Sequence, residues 1–297
     1  MCDADTERDN LTFLAGTTRR QLQVGVGAAA VLGAAGCSTS SKVTSSSSSA
    51  ATKVTGNRVR IPTPDGEAEG WFTHPADGTH PGVLIWPDVA GLRPAFETMA
   101  DRLASAGYAV LAVNPYYRSS ALPILETFSE WRTEEGKAKI APMRELLTAD
   151  NIARDAAAYI DWLDAQPGVD DAQKLGTTGY CMGGPFTFRT AAARTQRVGA
   201  FASFHGGGLV TEAPDSPHQL LEKVEAAALV CIAQNDDARD PEAKDKLREA
   251  AKAEDVTAEV EVYPAQHGWC VIDSPVYDPT QAERAWSRLL ATFSAHL

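Results

Sequence analysis

The chain has 297 residues, 44% hydrophobic and 22% charged, a globular composition with ample apolar material for a core. Thirty-nine acidic against 27 basic residues give a formal charge of −12, a field that repels nucleic-acid phosphates and anionic membrane surfaces. The five cysteines, at 2, 37, 181, 231 and 270, form no zinc-spaced Cys-x-x-Cys or Cys/His cluster, so neither a disulfide framework nor structural zinc is expected.

In chain order, Thr18-Arg19-Arg20-Gln21-Leu22-Gln23 comes first, followed by a Gly/Ala-rich apolar run of 13 residues from Val24 to Gly36, too short to span a bilayer. A basic pair ahead of a weakly hydrophobic stretch that ends in small residues resembles an export signal of the twin-arginine type. Asp3, Asp5, Glu7 and Asp9 lie upstream and are atypical of such a segment. Cys37, after Ala34-Ala35-Gly36, resembles the lipobox cysteine of bacterial lipoproteins, with Ala34 where Leu is usual, and is a candidate lipid anchor. Ser38 to Ala51 carries no bulky apolar side chain beyond Val43 and cannot bury enough surface to order itself. The expected organisation is an export signal over 1–37, a Ser-rich linker over 38–55 and a catalytic domain over 56–297, in a protein exported to the periplasm or cell envelope. Three basic and four acidic residues lie within 1–36, so the remainder keeps −11.

Within the domain, Asn57 to Pro62 and Ala68 to His74 flank Pro64-Asp65-Gly66 and predict a hairpin. Gly82–Trp86, Ala109–Val113, Ala200–Phe204 and Ala228–Ile232 are short apolar runs of the kind buried on both sheet faces; Lys174–Tyr180 and Ala258–Tyr263 are two more strands. Helical patterns fall between them at Ala95–Ala106, Asn151–Ala165, Gly184–Ala193, Glu242–Ala253 and Gln281–His296. Such alternation predicts a doubly wound, mostly parallel sheet with helices on both faces, and ligands at the strands' carboxyl ends.

Gly179-Tyr180-Cys181-Met182-Gly183-Gly184 joins a strand to a helix as Gly-x-nucleophile-x-Gly, the elbow of α/β-hydrolases with Cys in place of Ser. The turn is so sharp that its flanking residues must lack Cβ atoms, and the helix N-terminus that follows favours a thiolate and then an oxyanion. A thiolate needs a base and an acid to orient it. His267 follows the last strand, Asp237 follows the one before, and the order Cys181, Asp237, His267 is the hydrolase order. Asp237 is preferred over its rival Asp236 because one more residue clears the strand end. His205, also after a strand, lines the pocket, caps the strand or acts directly. Cys231 is mid-strand and reads as inert core; whether it pairs with Cys270 is not decided by spacing.

These residues resemble the dienelactone hydrolase family from about Gly82 to the C-terminus. Pro87-Asp88-Val89-Ala90-Gly91-Leu92 and Asn114-Pro115-Tyr116-Tyr117-Arg118 are similar to two of its loops, Gly179–Gly184 to its G-Y-C-x-G-G, and Gln266-His267-Gly268-Trp269 to its histidine motif. The resemblance implies an α/β-hydrolase fold with little or no lid, a triad of Cys181, Asp237 and His267, and an oxyanion hole from the N–H groups of Met182 and Val89. It places Asp88 where the family has a glutamate that holds the resting thiol, matches Arg118 to an arginine that binds the substrate carboxylate, and makes Trp269, in the histidine motif, a substrate-binding or supporting residue. A second such arginine is replaced by Val271. The expected activity is hydrolysis of an ester or lactone of a small molecule through a thioester, with no cofactor or metal. The alternatives are a broad carboxylesterase or thioesterase on the same site, and a non-hydrolytic envelope protein that binds a ligand or uses Cys181 as a redox thiol.

Overall fold

A computed structural model describes residues 4–24 and 52–297, with side chains from residue 5 to residue 16 in the first segment. The lipobox, Cys37, the apolar run beyond Val24 and all but the end of the Ser-rich linker lie outside the described residues. The first segment is a helix, α1 (Ala4–Val24), whose later turns include Arg19 and Arg20. Among the described residues, no helix is long and apolar enough to cross a membrane.

The domain is built on one sheet of eight strands: β1 (Val54–Thr63), β2 (Gly66–Pro75), β3 (Gly82–Trp86), β4 (Ala109–Val113), β5 (Leu175–Tyr180), β6 (Val198–Phe204), β7 (Ala227–Ala233) and β8 (Ala258–Tyr263). Their order across the sheet is β1-β2-β4-β3-β5-β6-β7-β8. The predicted hairpin is β1–β2, antiparallel, with Thr63 opposite Gly66 at its turn; β2 also runs antiparallel to β4, and the strands from β4 to β8 are parallel. All six parallel runs named from sequence begin and end within two residues of these strands, and Lys174 is the one named residue that falls outside its strand.

Parallel strands need crossovers, which place helices on both faces. The remaining helices are α2 (Pro94–Ser105), α3 (Phe128–Trp131), α4 (Glu134–Arg144), α5 (Ala149–Asp164), α6 (Gly184–Ala193), α7 (Gln234–Arg239), α8 (Ala243–Ala253) and α9 (Pro279–His296). Alternation along β3 sends Val83 and Ile85 into one core with α2 and α9, and Leu84 and Trp86 into another with α5. On α9, Ala282, Ala285, Leu289 and Phe293 recur at helical spacing on the buried stripe, and the Asp278 carboxylate caps the helix by accepting from the Gln281 N–H at 3.0 Å. The chain between β4 and α5 detours through α3 and α4, which had no apolar period to announce them.

Candidate active site

Every parallel strand ends on the same side of the sheet, and the chemistry-bearing residues leave from those ends. At the end of β5 the chain reverses into α6 through Cys181, whose φ of 54° lies in the left-handed region, a conformation that costs a side-chain-bearing residue about 1–3 kcal/mol. The glycines permit the turn. A Cβ on Gly179 would stand 2.0 Å from the Gly183 carbonyl oxygen, and one on Gly183 would stand 2.3 Å from that of Trp86. The Cys181 side chain is buried, and Cys181, Cys231 and Cys270 are all free thiols.

His267 leaves the loop after β8. The His267 N–H donates to Asn235 Oδ1 at 2.8 Å, and its Nδ1 shares a proton with Asp236 Oδ2 at 2.7 Å. The Cys181 side chain also acts on this imidazole. Burial disfavours charge on this imidazole, but the Asp236 carboxylate and the Cys181 sulfur outweigh it and raise His267 to about 10.

The acid preferred from sequence is corrected here. No loop intervenes after β7: α7 begins at Gln234, so successive side chains turn by about 100° instead of extending outward. Asn235 and Asp236 face the His267 loop, while Asp237 is carried round to α8, where Oδ1 accepts from Lys244 Nζ at 2.7 Å.

His205 leaves β6 with φ 42° and is buried with its ring centroid 4.9 Å from that of His267 and 5.1 Å from Trp269. It sits at the elbow: a Cβ on Gly184 would lie 2.5 Å from Cα of Gly206. Neither ring nitrogen has a hydrogen-bond partner that satisfies distance and angle among the described residues, and Cys181, His267 and Asp236 all act on the ring electrostatically. Burial lowers the His205 pKa, keeping this second imidazole neutral. Trp269 is buried behind it, stacked on Tyr263 at 5.2 Å.

Val89 and Met182, the two residues expected to supply oxyanion donors, are buried and joined through Tyr116. Its hydroxyl donates to the Val89 carbonyl at 2.8 Å and lies 3.3 Å from Met182 Sδ. Asp88 does not face the thiol as a free carboxylate. Oδ1 accepts from the Ala90 N–H at 2.9 Å, and both oxygens are engaged by Arg93 at 2.7 and 3.0 Å. Arg93, fully buried, also pairs with Asp273 at 2.7 and 2.8 Å. Burial alone would lower its pKa, but the two carboxylates raise it and hold the guanidinium charged. Neither Arg93 nor Asp273 was singled out in the sequence. An arginine five residues past Asp88 was the one local hint, and nothing local marks Asp273.

Arg118, expected at the substrate carboxylate, is engaged by two carboxylates of this chain. Its guanidinium spans Asp155, at 2.7 Å from both oxygens, and Asp65 at the hairpin turn, at 2.7 and 2.8 Å. Two acids 37 and 53 residues away claim it, so it fastens the β1–β2 turn to α5. An open cleft of about 540 Å³ lies beside the elbow, lined among others by Met182, Pro185, Phe186, Gly208, Leu147 and Arg144, and is roomy enough for a small-molecule ligand.

A model of the dienelactone hydrolase family matches residues 69–297. A carboxymethylenebutenolidase of Rhodococcus opacus is 26% identical over 238 residues, covering 76% of this chain and 86% of its own. A solved candidate dienelactone hydrolase from Klebsiella pneumoniae superposes with a TM-score of 0.70 at 23% identity, over 82% of this chain and 99% of its own. A dienelactone-hydrolase-like promiscuous phosphotriesterase from metagenomic libraries gives 0.66 at 24% identity, over 82% and 98%.

Proposed function

The chain belongs to the dienelactone hydrolase family, and from that premise we propose that it hydrolyses carboxylic esters or lactones through a triad of Cys181, His267 and Asp236. The observation that carries the reading is the strained Cys181 in a glycine-flanked elbow, facing an imidazole whose far nitrogen is 2.7 Å from a carboxylate. In this reading His267 holds the Cys181 proton in the resting site, leaving the sulfur as thiolate, and Asp236 holds the tautomer and the imidazolium. The thiolate attacks the carbonyl carbon, and the backbone N–H groups of Met182 and Val89 receive the oxyanion, their approach set by Tyr116. His267 returns the proton to the departing alkoxide, then draws a proton from the water that cleaves the thioester. Sulfur is itself a good leaving group, so an amide adduct would collapse back, and activated esters and lactones are the better substrates.

A broad carboxylesterase or thioesterase is the second reading, favoured by one observation: Arg118 is held by Asp65 and Asp155, and Val271 stands where the family's other arginine is expected. Residues 1–37 are assigned to export on the pattern of Arg19-Arg20 and the apolar run after them. The catalytic reading is tested by mass spectrometry with peptide mapping after brief exposure to an activated-ester probe. An acyl group on Cys181 in the wild type, greatly reduced in His267→Ala, is expected; no adduct on Cys181 in the wild type removes the nucleophile.

A further inference from the structure

The acidic residues that make an odd leader for an export signal have partners in the folded domain. Glu7 pairs with Lys137 of α4 at 2.8 Å and lies 3.7 Å from Arg132. Asp9 pairs with Arg239 of α7, which also donates to Thr6 Oγ1 at 2.6 Å. Asn10 Nδ2 donates to the backbone carbonyl of His267 at 3.0 Å. Thr6 is 1% exposed, as are Cys181 and His267. These contacts reach three separate parts of the domain, and two of them end on the proposed triad: at His267 itself, and through Arg239, 3.9 Å from Asp236.

We propose that Arg132, Lys137 and Arg239 form a docking surface at the mouth of the active site for an acidic helical segment, that its occupant is the first half of α1, and that the docked helix restricts access to Cys181. Charge complementarity selects the occupant. The domain carries a strong excess of acidic residues, yet these three cations gather where Glu7 and Asp9 arrive, and Asn10 adds a contact to the very loop that bears the base. An intramolecular ligand meets its surface at a high effective concentration, so pairs that would be weak between separate molecules suffice to keep it seated. Loss of the leader would open the site, making the intact chain a restrained form of the enzyme. The docking stands on the geometry; its activity readout rests on the reading of Cys181 as the nucleophile.

The experiment uses the full chain and compares the wild type with Glu7→Lys/Asp9→Lys. Two rates are followed: alkylation of Cys181 by iodoacetamide, resolved from the other cysteines by peptide mapping, and hydrolysis of 4-nitrophenyl acetate. Repulsion in place of two partly exposed ion pairs should raise both rates ~5- to 20-fold. Glu7→Lys and Lys137→Glu should each raise them alone, and the two combined should return them toward wild type, because the pair is restored with its charges exchanged. The buried Cys231 and Cys270 report any loss of fold by reacting too, in which case the exchanged pair decides. Cys181 alkylation unchanged in the double variant, or no restoration on exchange, overturns the docking. Faster alkylation with no ester turnover in any chain supports the docking and removes the hydrolase reading instead.

Discussion

Replacing Asp236 and Asp237 one at a time by asparagine separates the acid that touches the base from its neighbour. The isosteric change at Asp236 keeps the contact with His267 Nδ1, now 2.7 Å, but removes the charge that holds the imidazolium. His267 rises from 6.5 to about 10 against the cost of burial, with Asp236 the largest contributor to the rise. If Asp236 supplies about half of that rise, its charge is worth ~2.4 kcal/mol to the ion pair, or ~50-fold in rate. Loss of tautomer control adds to this floor, so kcat/KM should fall by ~10²–10⁴. At Asp237 the same change breaks a partly exposed pair with Lys244 and should leave kcat/KM within about twofold, with a stability loss below ~1 kcal/mol. The assay is steady-state hydrolysis of an activated ester with thermal melts of both variants. An Asp237→Asn loss as large as that of Asp236→Asn, or an Asp236→Asn enzyme within tenfold of wild type, would refute the assignment.

The pH profile follows from the same pair. Because the folded state holds a proton on His267 that the unfolded chain releases near 6.5, the stabilisation is complete below that pH and is lost as pH climbs through about 10. Activity should therefore persist on the alkaline side until pH nears 10, and its upper limb should move down in Asp236→Asn; a wild-type limb near 6.5 would contradict the ion pair. Arg118→Ala should cost about 3–5 kcal/mol in urea unfolding by stranding the buried Asp155, yet leave KM for a carboxylate-bearing ester unchanged, whereas a selective rise in that KM would return Arg118 to the substrate. His205→Phe should slow Cys181 acylation ~10-fold or more while the melt stays close to wild type, with His205→Asn recovering part of the rate; equal rates in all three would reduce His205 to packing.

Much of this molecule could be read before it was seen, for physical reasons that differ by region. Strands buried on both faces leave uninterrupted apolar runs, so β3, β4 and β7 announced themselves. The elbow was legible because its steric demand admits glycine alone on either side of Cys181, and a demand that strict writes itself into sequence. What escaped was angular or long-range. A six-residue helix right after β7 rotated the wrong aspartate away, and six residues are too few to show a period. Arg118 sits in a segment that matches the family locally, but its orientation is decided by Asp65 and Asp155, which no local comparison includes. The helix α1 was read only for the address it carries, and its acidic face has meaning only against cations supplied from α4 and α7.

Arg93 also matters to anyone who would re-engineer this enzyme. Its guanidinium is shared between Asp88, in the loop that carries Val89, and Asp273, six residues beyond His267, in a pairing that spans 180 positions of chain. Grafting a histidine loop from a relative without Asp273 would leave a buried cation half neutralised, and recutting the first loop without Arg93 would strand two acids together. The two loops are therefore one heritable module: libraries meant to alter substrate choice should vary them jointly, and naturally drifting sequences should exchange these three residues as a set.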